Sequence, residues 1–179
     1  EISLGLVGSE MCIRDRLPLD GGFTCPNRDG TLSSRGCIYC SDAGAGEWTY
    51  RSAGDIKDQI SYQKKILSKP GREEGYIAYF QNFTNTYGKV EKMREMFYAS
   101  IDSPDIVGLS IASRADCLPD EVLNLLEELN EKTDLTIELG MQSVNDNTLK
   151  FINRGYSHQE FDNGVQKLCA LGIKMVVHI

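Results

Sequence analysis

Strand-like and helix-like stretches alternate along most of this 179-residue chain, and no other feature restricts its fold as much. Residues 17–23 read as a short strand that leads into a loop rich in Gly and Cys. Residues 52–68 read as a helix with Ile56, Ile60 and Leu67 on one face. A strand over 76–80, a helix over 89–100 with Val90, Met93 and Phe97 on one stripe, and a strand over 106–111 follow. Pro119 suits the first position of the next helix, and Asp120 and Glu121 complement the positive end of its dipole. In that helix Val122, Leu125, Leu126 and Leu129 repeat at helical spacing. A strand over 135–139 comes next. A short helix then starts near Asn145 and ends near Asn153-Arg154-Gly155, with Gly155 as its left-handed cap. Ser157 and Glu160 form a capping-box pattern for a last helix that runs to Gly172, and 173–179 read as a fifth strand. Alternation of this kind implies βαβ units and a parallel sheet, an α/β fold. Five strands alone leave an open sheet and a barrel both available. In either architecture ligands sit at the carboxyl ends of the strands, so the residues just after each strand are the informative ones.

The balance of residues is that of a globular protein, 41% hydrophobic and 25% charged, which argues against a disordered chain. No apolar run reaches the roughly 20 residues of a membrane helix, so no membrane association is expected. The formal charge of −7 gives no global reason to bind nucleic acid. Residues 1–16, EISLGLVGSEMCIRDR, lack the basic start and apolar centre of a signal peptide. They resemble a translated sequencing-adapter artefact, so Cys12 is set aside and 17–179 are taken as the protein proper. The final β-rich run has no closing turn, and a chain truncated at its C-terminus is expected.

Residues 25–40, CPNRDGTLSSRGCIYC, place Cys25, Cys37 and Cys40 in a C-x11-C-x2-C spacing after the first strand. With no secretory signal, clustered cysteines point to metal or redox chemistry in a reduced cytoplasm rather than to disulfides. Three thiolates on one loop can hold three irons of a cubane and leave the fourth open to an outside ligand. Gly30 and Gly36 suit a tightly bent loop. A zinc site that borrows Cys117 or Asp42 is an alternative, as are unligated cysteines or a disulfide. Zinc usually wants four ligands, and His158 and His178 are far along the chain.

The loop resembles the radical S-adenosylmethionine (SAM) superfamily, in which three cysteines hold a [4Fe–4S] cluster and SAM chelates its open iron. The usual spacing there is C-x3-C-x2-C with an aromatic before the last Cys. This chain keeps the second half and the aromatic, as Tyr39, but lengthens the first gap to 11 residues. A long first gap resembles the YhcC-like branch and, more distantly, the catalytic subunit of the elongator complex. GFTCPNRDGT at 22–31, YFQNFTNTY at 79–87, GLSIASRADCLPD at 108–120, and ELGMQS at 138–143 with INRG at 152–155 all look like that branch. Ala115 stands where a Pro is expected.

The resemblance implies the N-terminal part of a TIM-like (β/α) radical SAM barrel, truncated at its C-terminus. It implies a [4Fe–4S] cluster on Cys25, Cys37 and Cys40, a one-electron donor of flavodoxin or ferredoxin type, and reductive cleavage of SAM to a 5′-deoxyadenosyl radical. For SAM, the strand-end residues Gln142, Glu138 and Ser113 are the main candidates, with Gln81 and Asn82 after the second strand. Arg114 is a candidate for the carboxylate of SAM or for substrate, or else a salt-bridged loop residue. Trp48 and Tyr50 are placed either on adenine or closing the loop. Cys117 and Cys169 read as small core residues, Cys169 on a face with Phe161, Val165 and Leu168. His178 reads as a core histidine or a cofactor contact, and His158 as a surface residue. The substrate is not legible, and its contacts are expected from sequence beyond residue 179. Radical-based modification of tRNA, and a non-enzymatic zinc or iron–sulfur module, are the rival functions.

Overall fold

The computed structural model describes residues 15–42, 44, 55–67 and 75–179. Cys12, Trp48, Tyr50, Ser52 and Ser68 lie outside the described residues. Five strands are joined by helices: β1 (Arg16–Leu19), α1 (Ile56–Leu67), β2 (Tyr76–Phe80), α2 (Val90–Ile101), β3 (Ile106–Ser113), α3 (Asp120–Asn130), β4 (Asp134–Gly140), α4 (Asp146–Phe151), α5 (His158–Ala170) and β5 (Lys174–His178). All pairs are parallel and the sheet order is β1-β2-β3-β4-β5. An order that never reverses winds every crossover the same way, which is the path of a barrel; a doubly wound sheet reverses at a switch point. Among the described residues no helix is long and apolar enough to cross a membrane.

The core sits between the sheet and α1, α2, α3 and α5. Leu109, Ile111, Leu135, Ile137 and Leu139 are buried on β3 and β4, and Val122, Leu125, Leu126 and Leu129 form the buried stripe of α3. Each such side chain contributes about 1.5–3 kcal/mol by leaving water. On α1 the buried face includes Gln59 and Gln63 beside Ile56 and Ile60. The two amides are buried because the chain end of β1 needs partners. Gln59 Nε2 donates to the Asp20 carbonyl at 3.0 Å and Gln59 Oε1 accepts from Asp20 N at 2.9 Å, while Gln63 Nε2 donates to the Pro18 carbonyl at 3.3 Å.

Several boundaries differ from the sequence reading. The first strand ends at Leu19, not Phe23, because Asp20 Oδ1 accepts from Gly22 N at 2.8 Å and turns the chain. Arg16, the last residue of the segment expected to be foreign, is the first of β1. Pro119 is the N-cap residue of α3, one position before the helix proper. The short helix α4 stops at Phe151, and its left-handed C′ residue is Asn153 (φ 55°), not Gly155. Arg154 N donates to Leu149 O at 2.9 Å and Asn153 N to Lys150 O at 3.1 Å, the paired bonds of a Schellman motif in which Asn replaces Gly. The Ser157–Glu160 capping box of α5 is present with both bonds. Cys169 is exposed, not on the apolar face. The buried face of α5 is Phe161, Gly164 and Leu168, and the next residue turns about 100° away from it.

Candidate active site

At the carboxyl ends of the strands lies a cavity of about 320 Å³. Cys25, Cys37 and Cys40 line it, together with Gln81 after β2, Ser113 and Arg114 at the end of β3, and Glu138 and Gln142 on and after β4. Asn82 is the exception among the predicted residues. It is buried beneath the rim, outside the cavity lining, and its carbonyl accepts from Asn85 Nδ2 at 3.0 Å. That amide also donates to Phe80 O and Ala112 O, so Asn85 ties the loop both to the end of β2 and to β3.

The long gap between the first two cysteines is a closed excursion. Arg28 N and Asp29 N donate back to Cys25 O at 2.8 and 3.1 Å, Leu32 N donates to Pro26 O at 2.8 Å, and Gly36 N donates to Asn27 O at 2.8 Å. These bonds close the excursion at its base and return Cys37 to the cavity that Cys25 lines. Gly36 has φ 72°, and a Cβ there would meet Arg28 Nε at 3.0 Å. Arg28 needs that space, since its Nη2 donates to Cys40 O at 2.8 Å and to Ser41 O at 2.5 Å. The turn after α4 clamps the loop from the other side. Asn153 Nδ2 donates to Gly36 O at 2.7 Å, Ile38 N donates to Ile152 O at 3.1 Å, and Asn27 Nδ2 donates to Asn153 O at 2.5 Å.

Cationic and amide groups face the sulfurs. Asn27 Nδ2 is 3.3 Å and Arg154 Nη1 4.0 Å from Cys37 Sγ, and Arg114 Nη1 is 3.9 Å from Cys25 Sγ. Arg114 is held by Asp116 through Nε (2.9 Å) and Nη2 (2.8 Å), and its Nη1 donates to Arg154 O at 2.9 Å. Burial works against its charge, but Asp116 outweighs burial and keeps its pKa raised. It is therefore an ion-paired loop residue that also reaches a cysteine. Cys117 lies beside it as a buried thiol, pushed up to about 12 by burial and by Asp116. Tyr39 also lines the cavity, and burial raises its hydroxyl pKa.

Among the described residues no three His, Cys, Asp or Glu gather as one metal ion would require. A cubane makes a different demand, because each thiolate meets its own iron. Three thiols of one loop around a cavity, with donors directed at two of them, fit an anionic iron–sulfur cluster.

Glu138 is the polar hub of the cavity floor. Ser110 Oγ donates to Oε1 at 2.6 Å, Arg16 pairs with the same oxygen, and Tyr79 OH and His178 Nε2 meet Oε2 at 3.0 and 2.9 Å. Burial favours the neutral acid, but these donors and the Arg16 charge win, and the pKa lies below the ordinary 4.5. Tyr79 is raised by burial first and by Glu138 second. A carboxyl lowered on folding stabilises the protein above its unfolded pKa, and that stability is lost as pH falls through the folded value. The stability of wild type should therefore fall more steeply below about pH 4.5 than that of Glu138→Gln. Parallel urea melts across that range check this, and equal slopes would contradict it.

Gln142 adopts φ 67°, uncommon for a non-glycine residue, and its N–H donates to His178 O at 3.1 Å. Gly140 makes room for it. A Cβ there would sit 2.7 Å from Gln142 Nε2 and 3.2 Å from Arg154 Nη2. Ser113 Oγ is bonded to Thr86 Oγ1. Tyr79, Arg28 and Arg154 are not among the residues the sequence marks for the site, and His178, open there between a core histidine and a cofactor contact, is exposed at the cavity and not in the core. All four line the cavity. The position of Arg154 in the INRG stretch was a signal that could have found it.

A sequence model described as the Radical SAM superfamily matches residues 30–179, which include Cys37 and Cys40 and begin just after Cys25. The chain is 45% identical over 164 residues to "Uncharacterized protein YtqA" of Bacillus subtilis, 36% over 165 residues to "Protein YhcC" of Escherichia coli, and 35% over 167 residues to "Uncharacterized protein MJ0486" of Methanocaldococcus jannaschii. Each alignment covers 92% of this chain and between 50% and 52% of the relative, so the chain spans about half the length of the curated relatives it matches. With a parallel sheet in sequential order, three cysteines at its carboxyl edge and these relatives, the chain belongs to the radical SAM superfamily.

Proposed function

We propose that these residues form the cluster- and SAM-binding part of a radical SAM enzyme. The observation that carries this reading is the meeting of Cys25, Cys37 and Cys40 with the strand-end residues Gln81, Ser113, Arg114, Glu138 and Gln142 around one cavity. Cys25, Cys37 and Cys40 would hold a [4Fe–4S] cluster. When bound, the cluster and SAM supply a one-electron cleavage that yields a 5′-deoxyadenosyl radical.

The chain's own part is to bind, orient and shield. Gln142, on a backbone already fixed by His178, offers an amide to SAM, and Gln81 and Ser113 offer further polar groups. Arg114 offers its charge, tempered by Asp116. Glu138 has its acceptor positions filled by Ser110, Arg16, Tyr79 and His178, so its proposed role is to orient Tyr79 and His178 at the cavity. The electron donor is proposed to be of flavodoxin or ferredoxin type. The full-length protein, reconstituted anaerobically and given SAM and a reductant, should release 5′-deoxyadenosine, measured by chromatography. A cluster-loaded protein that binds SAM and releases none would refute the enzymatic reading.

A further inference from the structure

Arg154 is a buried cation whose charge the described part of the chain does not balance. It is 6% exposed. Its Nη2 donates to Gly140 O at 2.6 Å and to Tyr156 OH at 2.8 Å, both uncharged acceptors. Its Nη1 is directed at Cys37 Sγ at 4.0 Å, and its Nε, also buried, has no hydrogen-bond partner. Among the described residues no Asp or Glu pairs with it, whereas neighbouring Arg114 is bound through two nitrogens to Asp116. A buried guanidinium without a counter-charge is strongly unfavourable unless an anion faces it. The Schellman turn after α4 also fixes its backbone, and Gly140 leaves room for its head group. The position is therefore built, not a by-product of a flexible side chain.

We propose that Arg154 is the resident counter-ion of the cluster corner bound by Cys37, and that it raises the cluster's reduction potential. This rests on the reading that Cys25, Cys37 and Cys40 hold a [4Fe–4S] cluster. A cubane with three thiolates is anionic. On reduction it takes one electron from the donor, breaks no bond, and becomes more negative by one charge. A fixed cation beside one of its thiolates stabilises the reduced form more than the oxidised form, and the low dielectric around a buried group enlarges the difference. Asn27, 3.3 Å from the same sulfur, adds a neutral donor in the same direction. Arg114 contributes less, because Asp116 cancels its charge.

The test is a dye-mediated redox titration of the reconstituted full-length protein, read by EPR in the absence of SAM, for wild type, R154Q and R154K. At the potential where wild type is half reduced, R154Q should show at least a tenfold lower ratio of reduced to oxidised cluster. That corresponds to a shift of about 59 mV for a one-electron couple. R154K keeps the charge and should stay near wild type. If R154Q folds without iron while R154K holds its cluster, the need for a charge is supported. Equal titration curves for wild type and R154Q would overturn the proposal, as would loss of the cluster from both variants in a folded chain. A potential unchanged while SAM affinity falls would also overturn it and move Arg154 to the SAM carboxylate. Wild-type protein that holds no iron would instead refute the cluster reading beneath it.

Discussion

Cys37→Ala is expected to bring cluster content from about four irons per chain to near zero, with a chain that still folds. Cys37 is the middle thiol of the loop and is buried at the cavity wall, where Asn27 and Arg154 face its sulfur. Two remaining thiols cannot hold the three protein-bound corners of a cubane. The informative control is Cys117→Ala. That thiol is buried and pushed up to about 12, and the zinc alternative would recruit it. The cluster account predicts that Cys117→Ala keeps its iron. Iron and sulfide counts on reconstituted protein decide the matter, and a Cys37→Ala protein with full iron content would remove Cys37 from the ligand set.

The largest effect on stability is expected at Phe97. Its ring is fully buried on α2 and meets Phe80 edge-on at a centroid distance of 4.9 Å and Phe23 at 6.4 Å. Phe80 ends β2, and Phe23 lies just before the cysteine loop, so one ring joins helix, sheet and the entry to the site. Phe97→Ala should cost about 3–5 kcal/mol through lost burial and the cavity left behind, against a total of about 5–15 kcal/mol for a domain. Urea unfolding should show a correspondingly lower midpoint at similar slope. A loss below about 1 kcal/mol would mean that the core around β2 and α2 repacks freely.

Much of the fold was legible because its signals are local. The periodicity of α3, the capping box at Ser157 and the β-rich runs of β2 to β4 each follow from neighbours in sequence. Errors arose where a tertiary partner or a short-range side-chain bond decided the outcome. Gln59 and Gln63 are buried because β1 presents bare carbonyls, which no helical pattern reveals. The last turn of α4 is capped by Asn153, whose side chain also serves the cysteine loop, so Gly155 was the wrong choice. Cys169 was misplaced by one residue of helical phase.

The candidate site divides in the same way. The three cysteines were readable from spacing, and Gln81, Ser113, Arg114, Glu138 and Gln142 from their places at strand ends. Asn82 follows the same rule in sequence yet turns beneath the rim. Nothing local links Glu138 to Arg16, Tyr79 and His178, or Arg154 to Cys37, because those pairs meet only when the sheet closes the distance between remote segments. The fully occupied acceptors of Glu138 are likewise visible only in three dimensions, and they move its proposed role from contact to orientation.

The central claim is that Cys25, Cys37 and Cys40 bind three corners of a [4Fe–4S] cluster and leave the fourth to SAM. EPR of the reduced, reconstituted full-length protein with and without SAM, alongside iron and sulfide counts, tests it most directly. The account predicts about four irons per chain and a spectrum that changes when SAM is added. Zinc in place of iron in a folded sample, or a cluster whose spectrum is indifferent to SAM, would contradict it.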